Sequence, residues 1–236
     1  MRPRRLLAEF VGTLILALGI ALRNGSPYAA GASLWAAIIG TGFISGAQFN
    51  PAITTACLLV VAYKKNVTKE EIFEQFAYFL CHFTGATAGA LVSWAIKGDT
   101  FVISPPEDPG HAYLAETVAT TSLILVAMIG GELKDSFFIG TLAVAITLYA
   151  GIFTTGPISG GCLNPAIGLS MGWTDAMNYG YFRTNHLYIY VVGPLTASVL
   201  AAALYLVIHP ELEYVYNLKA KAGAYEGAAA TLLRNF

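Results

Sequence analysis

Apolar residues along the chain gather into six long stretches, at about 5–23, 28–46, 72–96, 112–130, 136–155 and 186–208, parted by short polar segments. A helix needs about 20 mostly apolar residues to cross ~30 Å of hydrocarbon, so each stretch is long enough to span a bilayer. Two shorter apolar stretches, Pro51 to Ala62 and Pro165 to Trp173, begin directly at Asn-Pro-Ala triplets. About 12 helical residues advance only ~18 Å, which is too short to cross alone. The pattern predicts an all-α membrane protein with six transmembrane helices and two re-entrant half-helices.

The same pattern contains a repeat. "LAEFVGT" (Leu7 to Thr13) and "LAETVAT" (Leu114 to Thr120) lie 107 residues apart, and Asn50 and Asn164 of the two triplets lie 114 apart. The chain reads as a duplication, with repeats at about 5–105 and 112–210 in a channel-like domain, 1–210, followed by a tail, 211–236. Each repeat holds three spans, an odd number, so the second enters the bilayer upside down relative to the first. Basic residues agree with both termini being cytoplasmic. That topology puts Arg2, Arg4, Arg5, Lys64, Lys65, Lys69, Lys134, Lys219, Lys221 and Arg234 inside, against Arg23, Lys97 and Arg183 outside. It also places the acceptor sequence Asn66-Val67-Thr68 on the cytosolic side, where glycosylation is not expected.

Composition narrows the function classes. Hydrophobic residues make up 56% of the 236 positions and charged ones 11%, with mean hydropathy of +0.61, as expected for a multi-pass membrane protein. The net charge of -1 offers no basic field for nucleic acid. Cys57, Cys81 and Cys162 have neither disulfide-framework nor zinc spacing, and no nucleophile and base pair suggests an enzyme, so no cofactor, metal or catalytic residue is expected. The basic N-terminus resembles a secretory leader, but Glu9 interrupts the apolar run and the segment recurs internally.

Non-helical backbone at membrane depth is tolerated only inside protein or along a water-filled cavity, so the triplets are expected to meet near the midplane. Asn is a favoured helix N-cap and Pro fits the first turn, where its missing N–H goes unneeded. Two opposed helix N-termini, each with about half a positive charge, form a barrier to cations and hydronium. The NH2 groups of Asn50 and Asn164 are donors able to hold a passing water by its oxygen, turning its hydrogens outward and interrupting proton hopping.

The paired triplets Asn50-Pro51-Ala52 and Asn164-Pro165-Ala166, "AEFVGT", its echo "AETVAT" and "GPISGGCLNPA" resemble the aquaporin (major intrinsic protein) family over about residues 5–210. The resemblance implies a right-handed bundle of six tilted helices plus two half-helices, a pore in every protomer, a homotetramer in the lipid bilayer, and Asn50 and Asn164 as pore donors. "GPISG" looks closer to the glycerol-facilitator branch. Most members have Arg immediately after the second triplet, in a narrow selectivity filter; here the residue is Ile167. Family spacing puts the other filter positions at Ala30, Ile152 and Gly161. Glycerol-selective members commonly have Asp one position further on, where this chain has Gly168. An apolar filter strips hydration without replacing its hydrogen bonds, which disfavours polyols unless the opening is wide.

Glu9 and Glu116 are intramembrane carboxylates, each costing about 2.5–3.5 kcal/mol at a helix centre on insertion scales. They are expected to accept hydrogen bonds from the re-entrant loops; proton relay is the rival role. His82 reads as a packed, neutral histidine with gating as the rival. Cys162 is expected near the pore, and Gly85, Gly89, Gly193 and Ala197 at close helix contacts. The expected function is a passive channel for water and small neutral solutes such as hydrogen peroxide, ammonia or glycerol, excluding protons and ions. Coupled transport and a structural or junctional role with low conductance are the alternatives.

Overall fold

The computed structural model describes residues 2–63, 67–103, 108–131, 137–183 and 186–209. Asn66, Lys64, Lys65, Lys134 and the tail beyond His209, all used in the topology argument, lie outside the described residues. Among the described residues are eight α-helices: α1 (Pro3–Leu22), α2 (Pro27–Ser45), α3 (Pro51–Tyr63), α4 (Lys69–Lys97), α5 (Pro109–Gly130), α6 (Phe137–Ser159), α7 (Pro165–Tyr179) and α8 (Ile189–Ile208). Six of these, all but α3 and α7, are long and apolar enough to cross a membrane, with 18-residue windows of mean hydropathy from 1.3 to 2.2.

Local chemistry fixes many of the ends. Five helices begin with proline, the residue that loses least at the first helical position. α4 starts at Lys69, ahead of its apolar run, because Thr68 and Glu71 form a capping box. Asp108 caps α5 by accepting from the N–H groups of Gly110 (2.8 Å) and His111 (3.0 Å). Gly46, Gly98 and Gly180 close α2, α4 and α7 in the left-handed conformation. Two helices outrun the apolar pattern. α6 continues past Pro157 to Ser159, and α7 continues beyond Trp173 to Tyr179 because the polar Thr174 and Asp175 are buried against protein.

The duplication is visible in the packing. α1 rests on α2 and α4 as α5 rests on α6 and α8, while α3 lies against α8 and α7 against α4. Each short helix is therefore carried by the last span of the other half. Small residues allow these approaches: a Cβ added at Gly89 would lie 2.7 Å from the Leu14 carbonyl, one at Gly85 would strike the Phe10 carbonyl, and one at Gly193 would lie 3.0 Å from Glu116 Cβ. Outward faces are apolar too, with Phe73, Phe76 and Leu80 on α4, Phe153 on α6 and Val207 on α8 all exposed. In water such a surface promotes aggregation; against lipid it is the solvated face.

Candidate functional site

The tips of α3 and α7 meet through their asparagines. Asn50 Oδ1 accepts from Ala52 N (2.9 Å), and Asn164 Oδ1 accepts from Ala166 N (3.0 Å) and Ile167 N (3.5 Å), so each side chain caps its own helix. Each amide nitrogen then crosses to the other loop: Asn50 Nδ2 donates to Leu163 O (2.8 Å) and Asn164 Nδ2 to Phe49 O (2.9 Å). The two loops are thus reciprocally locked. A primary amide has two N–H bonds, and the lock uses one on each asparagine, leaving one rather than two for a passing oxygen. Both residues are 3% exposed.

The strands entering the tips share an unusual backbone. Gly46 (φ 100°), Ala47 (54°) and Phe49 (49°) are matched by Gly160 (89°), Gly161 (66°) and Leu163 (54°), each 114 residues later. A non-glycine residue in this region costs about 1–3 kcal/mol and needs surroundings that hold it there. Two carboxylates supply them. Glu9 Oε1 accepts from Gln48 N (3.1 Å) and its Oε2 from Phe49 N (2.8 Å), while Glu116 Oε1 accepts from Cys162 N (2.8 Å) and its Oε2 from Leu163 N (2.7 Å). These bonds pair backbone N–H groups that lipid cannot satisfy.

A tyrosine support repeats in both halves, and each loop also fits a glycine notch on a different helix. Tyr78 and Tyr190 hydroxyls donate to Ser45 O (3.2 Å) and Ser159 O (2.6 Å). Phe49 and Leu163 fit notches at Gly12 and Gly151: a Cβ at Gly12 would run into the Phe49 ring, and one at Gly151 would lie 2.6 Å from Leu163 Cδ2. Neither the tyrosines nor these notches stand out in the sequence, although Gly12 belongs to the repeated "AEFVGT". Cys162 Sγ lies 3.1 Å from Asn164 O, in the second strand itself.

Of the four expected filter positions, Gly161 and Ile152 are brought together, since a Cβ at Gly161 would lie 3.0 Å from Ile152 Cα. That contact and the φ of 66° both favour glycine there. Ile167 occupies the first turn of α7 at 1% exposure, and it shares an apolar core with Ile152 (5%) and Ala30 at the start of α2. A Cβ at Gly168 would lie 2.7 Å from Tyr190 Cβ and 2.9 Å from Cys162 Sγ, which leaves no room for an acidic side chain.

Several charges at the ends of the bundle are paired. Arg183 Nε donates to Asp175 Oδ2 (2.7 Å), its second nitrogen bonds Oδ1, and its guanidinium lies 4.0 Å over the Tyr179 ring. Arg183 therefore does not stand in for an arginine beside the second tip. The Tyr179 hydroxyl, 2.8 Å from Asp99, and the Thr100 N–H hold the Asp99 carboxyl below its ordinary pKa. At the opposite end of α4, Arg5 pairs with Glu74 at 3.2 Å. Among the described residues no group of three or more His, Cys, Asp or Glu side chains is placed to hold a metal.

Comparison with known proteins places this architecture. The chain is 30% identical over 222 residues to the lens fiber major intrinsic protein of Gallus gallus, covering 86% of this chain and 80% of that one. It is also 30% identical to Aquaporin AqpM of Methanothermobacter marburgensis, covering 86% of this chain and 96% of that protein. Among solved structures, the aquaglyceroporin from Plasmodium falciparum shares the fold with a TM-score of 0.72 at 19% identity, over 88% of this chain and 97% of that one. The profile of the major intrinsic protein family matches residues 2–205, and the chain belongs to that family.

Proposed function

We propose that this protein is a passive channel for water and small neutral solutes, with its narrow waist at Asn50 and Asn164. The observation that supports this most is the reciprocal lock, which fixes two helix N-termini toward each other and leaves each asparagine one N–H for a solute oxygen. The opposed helix ends disfavour cations, and a water oriented between two donors cannot relay protons. Hydrogen peroxide, ammonia and glycerol are the solutes to compare. In this reading Ala30, Ile152, Gly161 and Ile167 form an apolar filter, and Glu9 and Glu116 are structural supports. The chain comprises inverted repeats at about 5–105 and 112–210 and a tail at 211–236, with both termini in the cytosol. Four copies assemble, and an open groove of about 710 Å³ between α5 and α6, lined by residues such as Leu114, Val118 and Ile158, suits a neighbouring protomer.

Permeability of proteoliposomes to a graded series of solutes tests the filter. Ile167→Arg is expected to lower passage of the larger solutes relative to water; an unchanged profile removes Ile167 from the filter. A second reading, a structural or junctional membrane protein of low conductance, draws on the small exposure of Ile152 and Ile167. Water flux near that of protein-free vesicles, from well-assembled protein, supports that second reading.

A further inference from the structure

The two loops share their backbone shape and the groups that bond it, and the first adds a buried imidazole. Tyr78 and Tyr190, 112 residues apart, do the same work, but the same spacing carries His82 to Pro194. His82 is fully buried, with Nε2 2.8 Å from Glu9 Oε2, while its Nδ1 has no hydrogen-bond partner among the described residues. Gln48, whose backbone N–H binds the other oxygen of Glu9, is buried as well and has an unpartnered Nε2. Its Oε1 accepts from Thr54 Oγ1 (2.5 Å), which also lies 3.2 Å from Asn50 O. Both carboxylates also receive a serine hydroxyl, Ser159 Oγ to Glu116 at 2.7 Å and, 114 residues earlier, Ser45 to Glu9, so His82 is a donor added to the first loop.

We propose that His82 is a positioning residue for conduction: acting through Glu9, it makes the segment from Gly46 to Phe49, and so the placement of Asn50, depend on proton binding at an imidazole, where the second half has Pro194. This inference rests on the channel reading above. With Glu9 ionised, a neutral His82 donates from Nε2 and keeps a lone pair on Nδ1, adding a fourth neutral donor to the Gln48 and Phe49 N–H groups and the Ser45 hydroxyl. A proton added at Nδ1 creates a buried N–H with no acceptor in this arrangement, a costly state that neighbouring groups must relieve by moving. Gln48, bonded to the other oxygen of Glu9, has an unmet group of its own. Its movement would disturb the Thr54 bond and, through it, the first residue of the lock. Acidification therefore lowers permeability.

Other charges near His82 are few. α1 offers Glu9, and Arg5 is paired with Glu74. On α4 the Tyr78 ring centroid is 6.2 Å from the imidazole and Cys81 is adjacent, while the charged Lys69, Glu70, Glu71, Glu74 and Lys97 lie toward its ends. α3 carries Cys57 and, at its exposed end, Tyr63; α7 carries Asp175, held by Arg183 and Thr100.

Stopped-flow water permeability of proteoliposomes, equilibrated to equal pH on both sides from 5 to 9, tests the proposal in wild type and His82→Gln. The wild type is expected to lose permeability on acidification, and His82→Gln, which keeps a donor for Glu9 without an ionisable ring, to stay flat at the wild-type level of high pH. The ring 15N shifts of His82 in lipid are expected to change over the same pH interval as wild-type permeability, a readout that needs no variant. Measurable wild-type flux that is flat with pH, an unaltered pH profile in His82→Gln, or 15N shifts that stay constant while permeability changes each overturns the proposal. Absence of wild-type flux at every pH instead overturns the channel reading on which it rests.

Discussion

The segment entering α3 turns through Gly46, Ala47 and Phe49 and is held by Glu9, Ser45 and His82, whereas the segment entering α7 turns through Gly160, Gly161 and Leu163 and is held by Glu116 and Ser159. Duplication has kept the groups that bond backbone, namely the carboxylate, the tyrosine and the asparagine. It has kept a serine donor too, while the packing varies and His82 is added on one side. Ala47 keeps a Cβ beside Gly42, where an added Cβ would be 3.2 Å away; Gly161 has none and meets Ile152. One backbone shape thus serves two roles, because the shape depends on N–H acceptors and not on the identity of the side chains around them.

Removing an acceptor has the largest expected effect. Glu9→Leu and Glu116→Leu each strand two buried backbone N–H groups and at least one side-chain donor, at about 1–3 kcal/mol for each orphaned group. Neither variant is expected to survive as assembled protein in detergent, as size-exclusion profiles will report. Survival of one variant alone would show that the two supports are unequal. Next come Gly12→Ala and Gly151→Ala, with overpacking costs of about 1–3 kcal/mol measured by thermal unfolding. Gly12→Ala should be the worse, because a rigid ring fills its notch while a flexible leucine tip fills the other.

The smallest effect lies outside the bundle, at Asp99. Its folded-state pKa is depressed, so the stabilisation is present above the ordinary carboxylate range and is lost as pH falls through the folded-state value. Tyr179→Phe should shift the acid limb of the unfolding temperature slightly upward in pH, with less shift at high salt. Stability of wild type and variant at neutral pH should differ little, since the pair is exposed.

Much of this molecule is legible in its sequence for a physical reason. Span length, the Asn-Pro helix start and the cost of an intramembrane carboxylate are local properties, so Asn50, Asn164, Glu9 and Glu116 stand out unaided. The groups that shape the loops do not. Gly12 and Phe49, Gly151 and Leu163, Tyr78 and Ser45 meet only after folding, and glycine or tyrosine in an apolar run has many ordinary uses. The lock was half legible: cap chemistry points to Oδ1, but the partner of Nδ2 lies in the other repeat. The ends of α6 and α7 ran past their apolar stretches because the polar residues there, Ser159, Thr174 and Asp175, are buried against protein.

Paired water and proton fluxes through the same proteoliposomes, for wild type and for Asn50→Ala/Asn164→Ala, test the account most directly. Wild type should pass water well above protein-free vesicles without a proton leak, and the double variant should lose water flux, proton exclusion or both. Wild-type water flux at the protein-free level, or a double variant indistinguishable from wild type in both fluxes, would contradict a waist built on the two asparagines.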